Sequence, residues 1–191
     1  MNTAVDPLAL LGQWLPGSAV DHHPVMALST IGDDGYPDAR SVLLSAFDGS
    51  AVYFHTDIRS RKATQLAANP RVALVLAWPE LGRQVTLQGD AQLTSREQAA
   101  DAYATSSRYL QLLAWLNTPE IAVLPEDARH ARWAEFSTAH PDGALPVPAT
   151  WIGYRVVPRR ITFWRGDTEG PSTRVEYERA GADWVTSILP G

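Results

Sequence analysis

Residues 25–56 have the sequence VMALSTIGDDGYPDARSVLLSAFDGSAVYFHT, which predicts short strands joined by tight turns. The turns are indicated by Gly-Asp-Asp-Gly at 32–35 and by Asp-Gly at 48–49, residue types that favour chain reversal. Strands that follow one another this closely are expected to pair in antiparallel fashion. The strand candidates are Val25–Thr30, Ala39–Ala46 and Ala51–Thr56.

The chain around this segment continues the strand pattern and adds helices. Further strands are predicted at Val72–Trp78, Gln84–Leu93, Trp151–Val157, Arg160–Trp164, Val175–Arg179 and Trp184–Ile188. Helices are predicted at Asp6–Leu15, Ser60–Asn69, Ser95–Tyr109, Leu110–Leu116 and Pro125–Thr138. The pattern lacks alternating strand–helix units, so it favours an α+β fold, an antiparallel barrel with helices inserted between its strands. We expect one domain over residues 1–191, with an N-terminal helix within 1–20 and a helical insertion at 95–140.

The composition excludes several classes of protein. The chain has no cysteine, which rules out disulfides, thiolate metal sites and cysteine nucleophiles. Its formal net charge of −5 gives no basic excess for nucleic acid or an anionic membrane. We find no signal-peptide pattern and no apolar run of membrane-spanning length, so we expect a cytoplasmic protein. His22 and His23 are adjacent and would point to opposite faces of an extended segment, so no metal site is predicted.

A cluster of cations marks the start of the second predicted helix. Arg59, Arg61 and Lys62 flank Ser60, shortly after the strand Ala51–Thr56. A helix N-terminus carries free N–H groups and a partial positive charge, so these side chains suit a dianionic phosphate. An exposed basic turn would have the same composition, and alone the sequence favours it.

Taken in order, several segments resemble the pyridoxamine 5′-phosphate oxidase family. Each segment is weak alone, but their order and spacing over nearly the whole chain are specific. They are PVMAL (24–28), GYPDARSVLL (35–44), VYFHTDIRSRK (52–62), NPRVALVLAW (69–78), RQVTLQG (83–89), PVPATWIGY (146–154), ITFWRG (161–166) and residues 184–190. The resemblance implies an FMN-binding split β-barrel that forms a homodimer, with the flavin between the two subunits.

The resemblance also assigns cofactor-binding positions. Arg61 and Lys62 match the family's phosphate-binding pair, and Gln84 matches a glutamine at the isoalloxazine edge. Trp164 and Arg174 match contacts that cross the dimer. By position, the full set is Arg40, Ser41, Val42, Leu43, Leu44, His55, Thr56, Arg61, Lys62, Gln84, Trp164 and Arg174.

The substrate side departs from the family's pattern. Ser45 stands where the family has a lysine, and His55 where it usually has tyrosine. Gly170 and Ser172 replace an arginine and a histidine that hold and orient the pyridoxal substrate, and only Tyr103 keeps a substrate position. Each lost charged contact costs about 2–5 kcal/mol when its partner stays buried, so binding of a phosphate monoester should suffer by several orders of magnitude.

These departures favour an FMN-dependent oxidase or dehydrogenase that acts on a flat, non-phosphorylated substrate, with molecular oxygen as electron acceptor. Aromatic intermediates of secondary metabolism, as in phenazine pathways, are a model by analogy. Apolar residues suited to such a substrate are Leu112, Leu113, Trp115 and Pro171. The sequence assigns no catalytic acid or base.

Three alternatives stay open. The chain could be a genuine pyridoxine/pyridoxamine 5′-phosphate oxidase, in which Arg108, Arg165 or Arg179 compensates for the lost cations. It could instead be a non-catalytic flavin or haem binder. A deazaflavin could also replace FMN, because Arg61 and Lys62 do not distinguish the two phosphates.

Overall fold

The structure, a computed structural model, describes residues 5–15, 24–141 and 145–191. Within these ranges the chain forms six α-helices and nine β-strands. The strands are β1 (Val25–Ile31), β2 (Pro37–Leu43), β3 (Ala46–Phe47), β4 (Val52–Asp57), β5 (Arg71–Trp78), β6 (Arg83–Leu93), β7 (Trp151–Arg165), β8 (Thr173–Ala180) and β9 (Asp183–Leu189). The helices are α1 (Pro7–Trp14), α2 (Arg61–Ala68), α3 (Arg96–Ala104), α4 (Arg108–Leu116), α5 (Pro119–Ala122) and α6 (Glu126–Ala139).

All of these strands belong to one antiparallel sheet that curls into a split barrel. Neighbours along the sheet run β2–β1–β5–β6–β7–β4–β3, with β8 and β9 added beside β7. The long strand β7 pairs with β6 on one edge. Its other edge pairs with β4 at the N-terminal end and with β8 at the C-terminal end. The predicted α+β fold, an antiparallel split β-barrel with helices inserted between its strands, is confirmed.

The barrel encloses one hydrophobic core because alternate residues of its strands point inward. Phe54, Leu28 and Leu74 are fully buried there, and Leu11 on α1 covers the same core. A second, smaller cluster lies in the helical insertion and consists of Tyr103, Leu112 and Leu145. The insertion therefore has an apolar centre of its own.

Three predicted element boundaries are wrong. The predicted strand Ala39–Ala46 is divided into β2, which ends at Leu43 and pairs with β1, and β3, which begins at Ala46 and pairs with β4. Trp151–Val157 and Arg160–Trp164 form the single strand β7, which carries Pro158 where the register with β6 shifts. Proline has no N–H for the ladder, so in a sequence it suggests the end of a strand. The predicted helix Ser95–Tyr109 ends as α3 at Ala104, because Ser107 caps a new helix by accepting a hydrogen bond from the Leu110 amide.

His22 and His23 lie outside the described residues. Within the described ranges, no three His, Asp or Glu side chains come together as a metal site would require. None of the helices described is both long enough and apolar enough to cross a membrane.

One carboxylate holds the turn between β3 and β4. Asp48 Oδ1 accepts hydrogen bonds from the Ser50 and Ala51 amides at 2.8 Å, and Oδ2 accepts one from the Tyr53 hydroxyl at 2.6 Å. Burial raises the pKa of Asp48, but these hydrogen bonds outweigh it and hold that pKa well below its usual range. The ionised group therefore stabilises the fold above the usual aspartate pKa, and this stabilisation is lost as the pH falls through the lowered value.

We expect Asp48→Asn to lower the free energy of unfolding by about 1 kcal/mol at neutral pH, because an amide accepts these hydrogen bonds less strongly than a carboxylate. Urea denaturation at neutral pH and in acid measures the difference. Wild type and variant should converge in acid, where Asp48 becomes protonated. Asp33→Asn, in an exposed turn, is the matched control. A deficit of equal size at both pH values would contradict this account.

Candidate functional site

A cavity of about 460 Å³ lies between the sheet and the helical insertion. Strands β2 and β4 and the start of β7 line it on the sheet side, the start of α2 lines one end, and α3 and α4 line the opposite wall. The lining residues are Ser41, Val42, Leu43, Ser45, Ala46, His55, Thr56, Asp57, Ser60, Lys62, Ala102, Thr105, Ser106, Leu110, Leu113, Ala114, Asn117, Thr150 and Trp151.

The α2 end of the cavity collects hydrogen-bond donors. Lys62 Nζ donates to Thr56 Oγ1 at 3.0 Å, and Thr56 Oγ1 lies 3.2 Å from Ser60 Oγ. Ser60 caps α2 by accepting a hydrogen bond from the Ala63 amide. An ammonium group, two hydroxyls and the positive end of a helix dipole form a donor set that fits a phosphate dianion.

Lys62 is half-buried at this end. Burial lowers the pKa of its ammonium group, and the charge of Arg40 lowers it further, while Asp57 acts in the opposite direction. Among the described residues that line the cavity, Lys62 is the only lysine or arginine. A bound dianion would add negative charge to that of Asp57 and would favour the protonated form of Lys62.

Arg40 and Arg61 do not line the cavity. Arg40 donates to Thr30 Oγ1 at 2.6 Å and to Gln65 Oε1 at 3.0 Å, and it pairs with Asp38 at 2.7 Å. Its guanidinium therefore ties β1, β2 and α2 together. The Arg61 side chain is 81% exposed and reaches Asp38 at 3.5 Å, in a separate surface cleft.

The other polar region of the cavity is built around His55. Its ring stacks on Trp151, with 5.3 Å between centroids and 2° between planes. Its Nδ1 lies 2.9 Å from Ser45 Oγ. The Trp151 ring is anchored to α3, because its Nε1 donates a hydrogen bond to the Ala99 carbonyl at 3.1 Å. This region therefore presents flat aromatic surface beside one paired hydroxyl and imidazole.

The remaining wall is mostly apolar. Ser41, Val42 and Leu43 of β2 line the cavity, whereas Leu44 is buried in the barrel core. From the helices, Leu110, Leu113 and Ala114 face it.

The other apolar candidates from the sequence lie outside the cavity lining. Leu112 is buried in the cluster of the insertion, and Trp115 Nε1 donates to the Pro146 carbonyl at 3.0 Å. Pro171 is exposed between β7 and β8.

Tyr103 supports the site without lining it. The residue is 2% exposed, and its hydroxyl donates to the Gln111 carbonyl at 3.3 Å. Its ring meets Trp151 edge-on at 5.7 Å. Burial raises the pKa of its phenol. Within one chain, Tyr103 thus acts on the cavity through Trp151.

Gln84, Trp164 and Arg174 form a separate group at the far end of β7. Trp164 pairs with Gln84 on β6 and with Arg174 on β8, so the three residues lie side by side across the sheet. Gly170 and Ser172 lie in the connection between β7 and β8. None of these five residues lines the cavity. The described chain alone does not bring the two groups of predicted flavin contacts together.

From the sequence, Trp151 could wall a flat cofactor but was expected to pack in the core, whereas the structure places it in the cavity lining. Its signal was present, because a strand that begins Trp151-Ile152-Gly153 places a large flat ring and a glycine on one face. What the sequence did not contain was the register that sets Gly153 opposite His55 on β4. Ser60, which the sequence predicted both as a helix cap and as part of the phosphate cluster, lines the cavity, as does Asp57, to which the sequence assigned no role.

The described chain thus combines a split barrel with a phosphate-type donor set at one end of its cavity and the stacked rings of His55 and Trp151 in another region. Residues 18–140 match the family model described as pyridoxamine 5′-phosphate oxidase. Residues 151–190 match the model described as pyridoxine 5′-phosphate oxidase C-terminal dimerisation region. The chain belongs to the pyridoxamine 5′-phosphate oxidase family, whose members are oxidoreductases.

Individual relatives resemble this chain in sequence or in structure. A pyridoxine/pyridoxamine 5′-phosphate oxidase from Rubrobacter xylanophilus is 38% identical over 94% of this chain and 84% of its own length. Among solved structures, PhzG from Burkholderia lata, in complex with tetrahydrophenazine-1-carboxylic acid, has a TM-score of 0.86 at 27% identity and covers 100% of this chain and 95% of its own. A pyridoxamine 5′-phosphate oxidase-related, FMN-binding protein from Nostoc punctiforme shares the fold, with a TM-score of 0.76 at 20% identity over 98% of this chain and 99% of its own.

Proposed function

We propose that this chain is an FMN-dependent oxidoreductase that oxidises a flat, non-phosphorylated ring substrate. The observation that carries the proposal is the distribution of charge among the described residues that line the cavity. Their one lysine or arginine, Lys62, lies at the α2 end, and those around His55 and Ser45 include neither. The cavity thus has donors for one phosphate, and the flavin uses them.

The α2 end is suited to the FMN phosphate. Lys62, Thr56 and Ser60 would hold its oxygens, and the first-turn amides of α2 would complete the donor set. The space beside the isoalloxazine would be lined by the rings of Trp151 and His55 and by the apolar side chains of α4. When bound, FMN supplies a two-electron acceptor for a hydride.

The substrate end is suited to a flat ring that carries no phosphate. Transfer of a phosphate from water into this region without a cation would cost far more than the hydroxyl of Ser45 returns. Leu113 and Leu110 instead offer apolar surface to a flat ring. PhzG, the structural relative at 27% identity, carries a ligand of this kind, a tricyclic ring acid without phosphate.

The second half of the site is proposed to come from a partner subunit. The C-terminal 151–190 match to a dimerisation region supports a homodimer. In such a dimer the row Gln84, Trp164 and Arg174 of one protomer would meet the flavin held by Lys62 of the other. Arg174 would then add a cation that the single chain's cavity lacks.

The test is anaerobic reduction of the FMN-loaded protein, which is monitored by the loss of flavin absorbance. We expect tetrahydrophenazine-1-carboxylic acid to reduce the flavin, molecular oxygen to reoxidise it, and turnover of pyridoxine and pyridoxamine 5′-phosphate to stay far below about one per second. Turnover of either phosphate ester near that rate would overturn the substrate assignment. Failure of the protein to bind FMN would overturn the cofactor assignment. Titration with a deazaflavin would then test the alternative cofactor.

A second candidate is genuine pyridoxine/pyridoxamine 5′-phosphate oxidase activity, which the naming of the 38% identical relative favours. It would require cations to replace those lost at Ser45 and Gly170. The three arginines considered from the sequence have other contacts: Arg108 donates to the His140 carbonyl, Arg165 lies 5.9 Å from the Trp14 ring, and Arg179 lies 4.5 Å from the Trp184 ring. The same steady-state assay decides between the two candidates.

A further inference from the structure

The His55 imidazole is held in one orientation by its neighbours. It lies directly across from Gly153 in the β4–β7 ladder. A Cβ added at Gly153 would lie 2.8 Å from His55 Nε2 and 2.9 Å from Cδ2, so the ring occupies the space that any other residue would need. Trp151 covers the ring face in a parallel stack. The position of Nδ1 is therefore fixed before any ligand arrives.

Nδ1 faces the hydroxyl of Ser45 at 2.9 Å. Ser45 is itself fixed, because its amide donates to the Tyr53 carbonyl at 2.8 Å. The added Cβ position at Gly153 also lies 2.6 Å from Thr94 Oγ1. Thr94 Oγ1 is buried and has no hydrogen-bond partner among the described residues. Nδ1 is the ring nitrogen that meets Ser45, and it can take up a proton from that hydroxyl in the tautomer that carries its hydrogen on Nε2.

We infer that Ser45 and His55 together accept the proton that the substrate releases when it is oxidised, an inference that rests on the proposed function. The substrate class is a partly reduced ring with an N–H beside the reacting C–H. The C–H bond breaks, and its hydrogen leaves with both electrons for the bound flavin. The N–H bond breaks as well, and its electron pair forms the C=N bond of the product. The proton passes to Ser45 Oγ while the proton of Ser45 passes to His55 Nδ1.

The other ionisable groups near His55 are less suited to this task. Asp57 on the same strand is paired with Arg59 at 2.7 Å, and Lys62 serves the phosphate end. Tyr53 on β4 donates to Asp48. Arg155 on β7 lies diagonally across from His55 and has no acceptor site for a proton. The lining residues of β2, α3 and α4 are uncharged. An imidazole is also the side chain that takes up and releases a proton near neutral pH.

The experiment compares wild type, Ser45→Ala, His55→Asn and the double variant, each loaded with FMN. An asparagine amide can still accept a hydrogen bond near the Nδ1 position but cannot take up a proton. We expect either single variant to slow anaerobic flavin reduction by tetrahydrophenazine-1-carboxylic acid by about 100-fold, the usual contribution of a positioned base. The double variant should be no slower than the singles, because the two residues act as one unit.

Two readouts separate this role from a structural one. The wild-type reduction rate should rise with pH as His55 loses its proton, whereas the rate of His55→Asn should not follow that titration. In the flavin-free protein, ¹⁵N NMR of the histidine rings should show a hydrogen-bonded, unprotonated Nδ1 at His55, and Ser45→Ala should change that signal. His130→Gln, on the exposed face of α6, is the control and should alter neither measurement.

The experiment distinguishes failure of the proton-accepting pair from failure of the proposed function. Rates within about threefold of wild type in both single variants, while the wild-type flavin is reduced, overturn the proton-accepting pair alone. Multiplicative losses in the double variant also overturn it. A wild type that neither binds FMN nor is reduced overturns the proposed function and this inference together. If His55→Asn fails to fold, Gly153→Ala replaces it, because the added Cβ displaces the ring from Ser45 without removing it, and a matching loss of rate is expected.

Discussion

Lys62→Met should weaken FMN binding by about 100-fold or more, because it removes the half-buried charged partner of the phosphate. The structure places Lys62 Nζ at the α2 end of the cavity, 3.0 Å from Thr56 Oγ1. Methionine keeps most of the aliphatic stem, so packing should change little. Titration of the flavin-free protein with FMN, followed by quenching of flavin fluorescence, measures the loss.

Arg61→Gln is the matched control, since the sequence assigned both residues to the phosphate. The Arg61 side chain is 81% exposed and lies outside the cavity lining, so we expect a loss of affinity of less than about fivefold. Affinity in the wild type should also fall as the pH rises through the lowered pKa of Lys62, because only the protonated amine binds the phosphate. Equal losses in the two variants would contradict the placement of the phosphate at Lys62.

Gly89→Ala should lower the free energy of unfolding by about 3 kcal/mol, because the β6–β7 ladder has no room for a side chain there. An added Cβ would lie 2.3 Å from the Val157 carbonyl oxygen and 3.2 Å from Val156 Cγ1. The first contact is with backbone, and Val156 is fully buried in the core, so neither can move cheaply. The register between the two strands also shifts at Gly89, opposite Pro158.

Chemical denaturation of Gly89→Ala beside Gly170→Ala measures this cost. At Gly170 the nearest atoms to an added Cβ belong to Asp167, at 3.9 Å, which is ordinary contact distance. Gly170→Ala should therefore change the free energy of unfolding by no more than about 0.5 kcal/mol. A Gly89→Ala protein as stable as Gly170→Ala would show that the two strands can separate at the register shift without loss.

Local signals made much of the fold predictable. Ser60 as a helix cap and the turns at 32–35 and 48–49 depend on neighbouring residues alone, and the structure has each of them. Pro158 led to the wrong prediction that the strand ends, because proline lacks the N–H that a strand ladder uses. In the structure Pro158 lies where the register between β6 and β7 shifts, and the strand continues through it.

The candidate site was less predictable because it depends on pairing between distant segments. The family resemblance singled out His55 and Ser45, but it predicted neither the hydrogen bond between them nor the stacking of Trp151 on His55. Likewise, nothing local distinguishes Lys62, which lines the cavity, from Arg61, which faces solvent. Only the packing of α2 against the sheet, chiefly against β1, makes that distinction.

The length of β7 has a thermodynamic consequence. Its first residues belong to the cavity that would hold the flavin phosphate, and its last residues carry Trp164, beside Gln84 and Arg174. In the proposed dimer, cofactor uptake and subunit association are therefore linked equilibria. By reciprocity, FMN tightens the association of protomers by the same factor by which association tightens FMN. Dilution would release the cofactor, and excess cofactor would oppose dissociation.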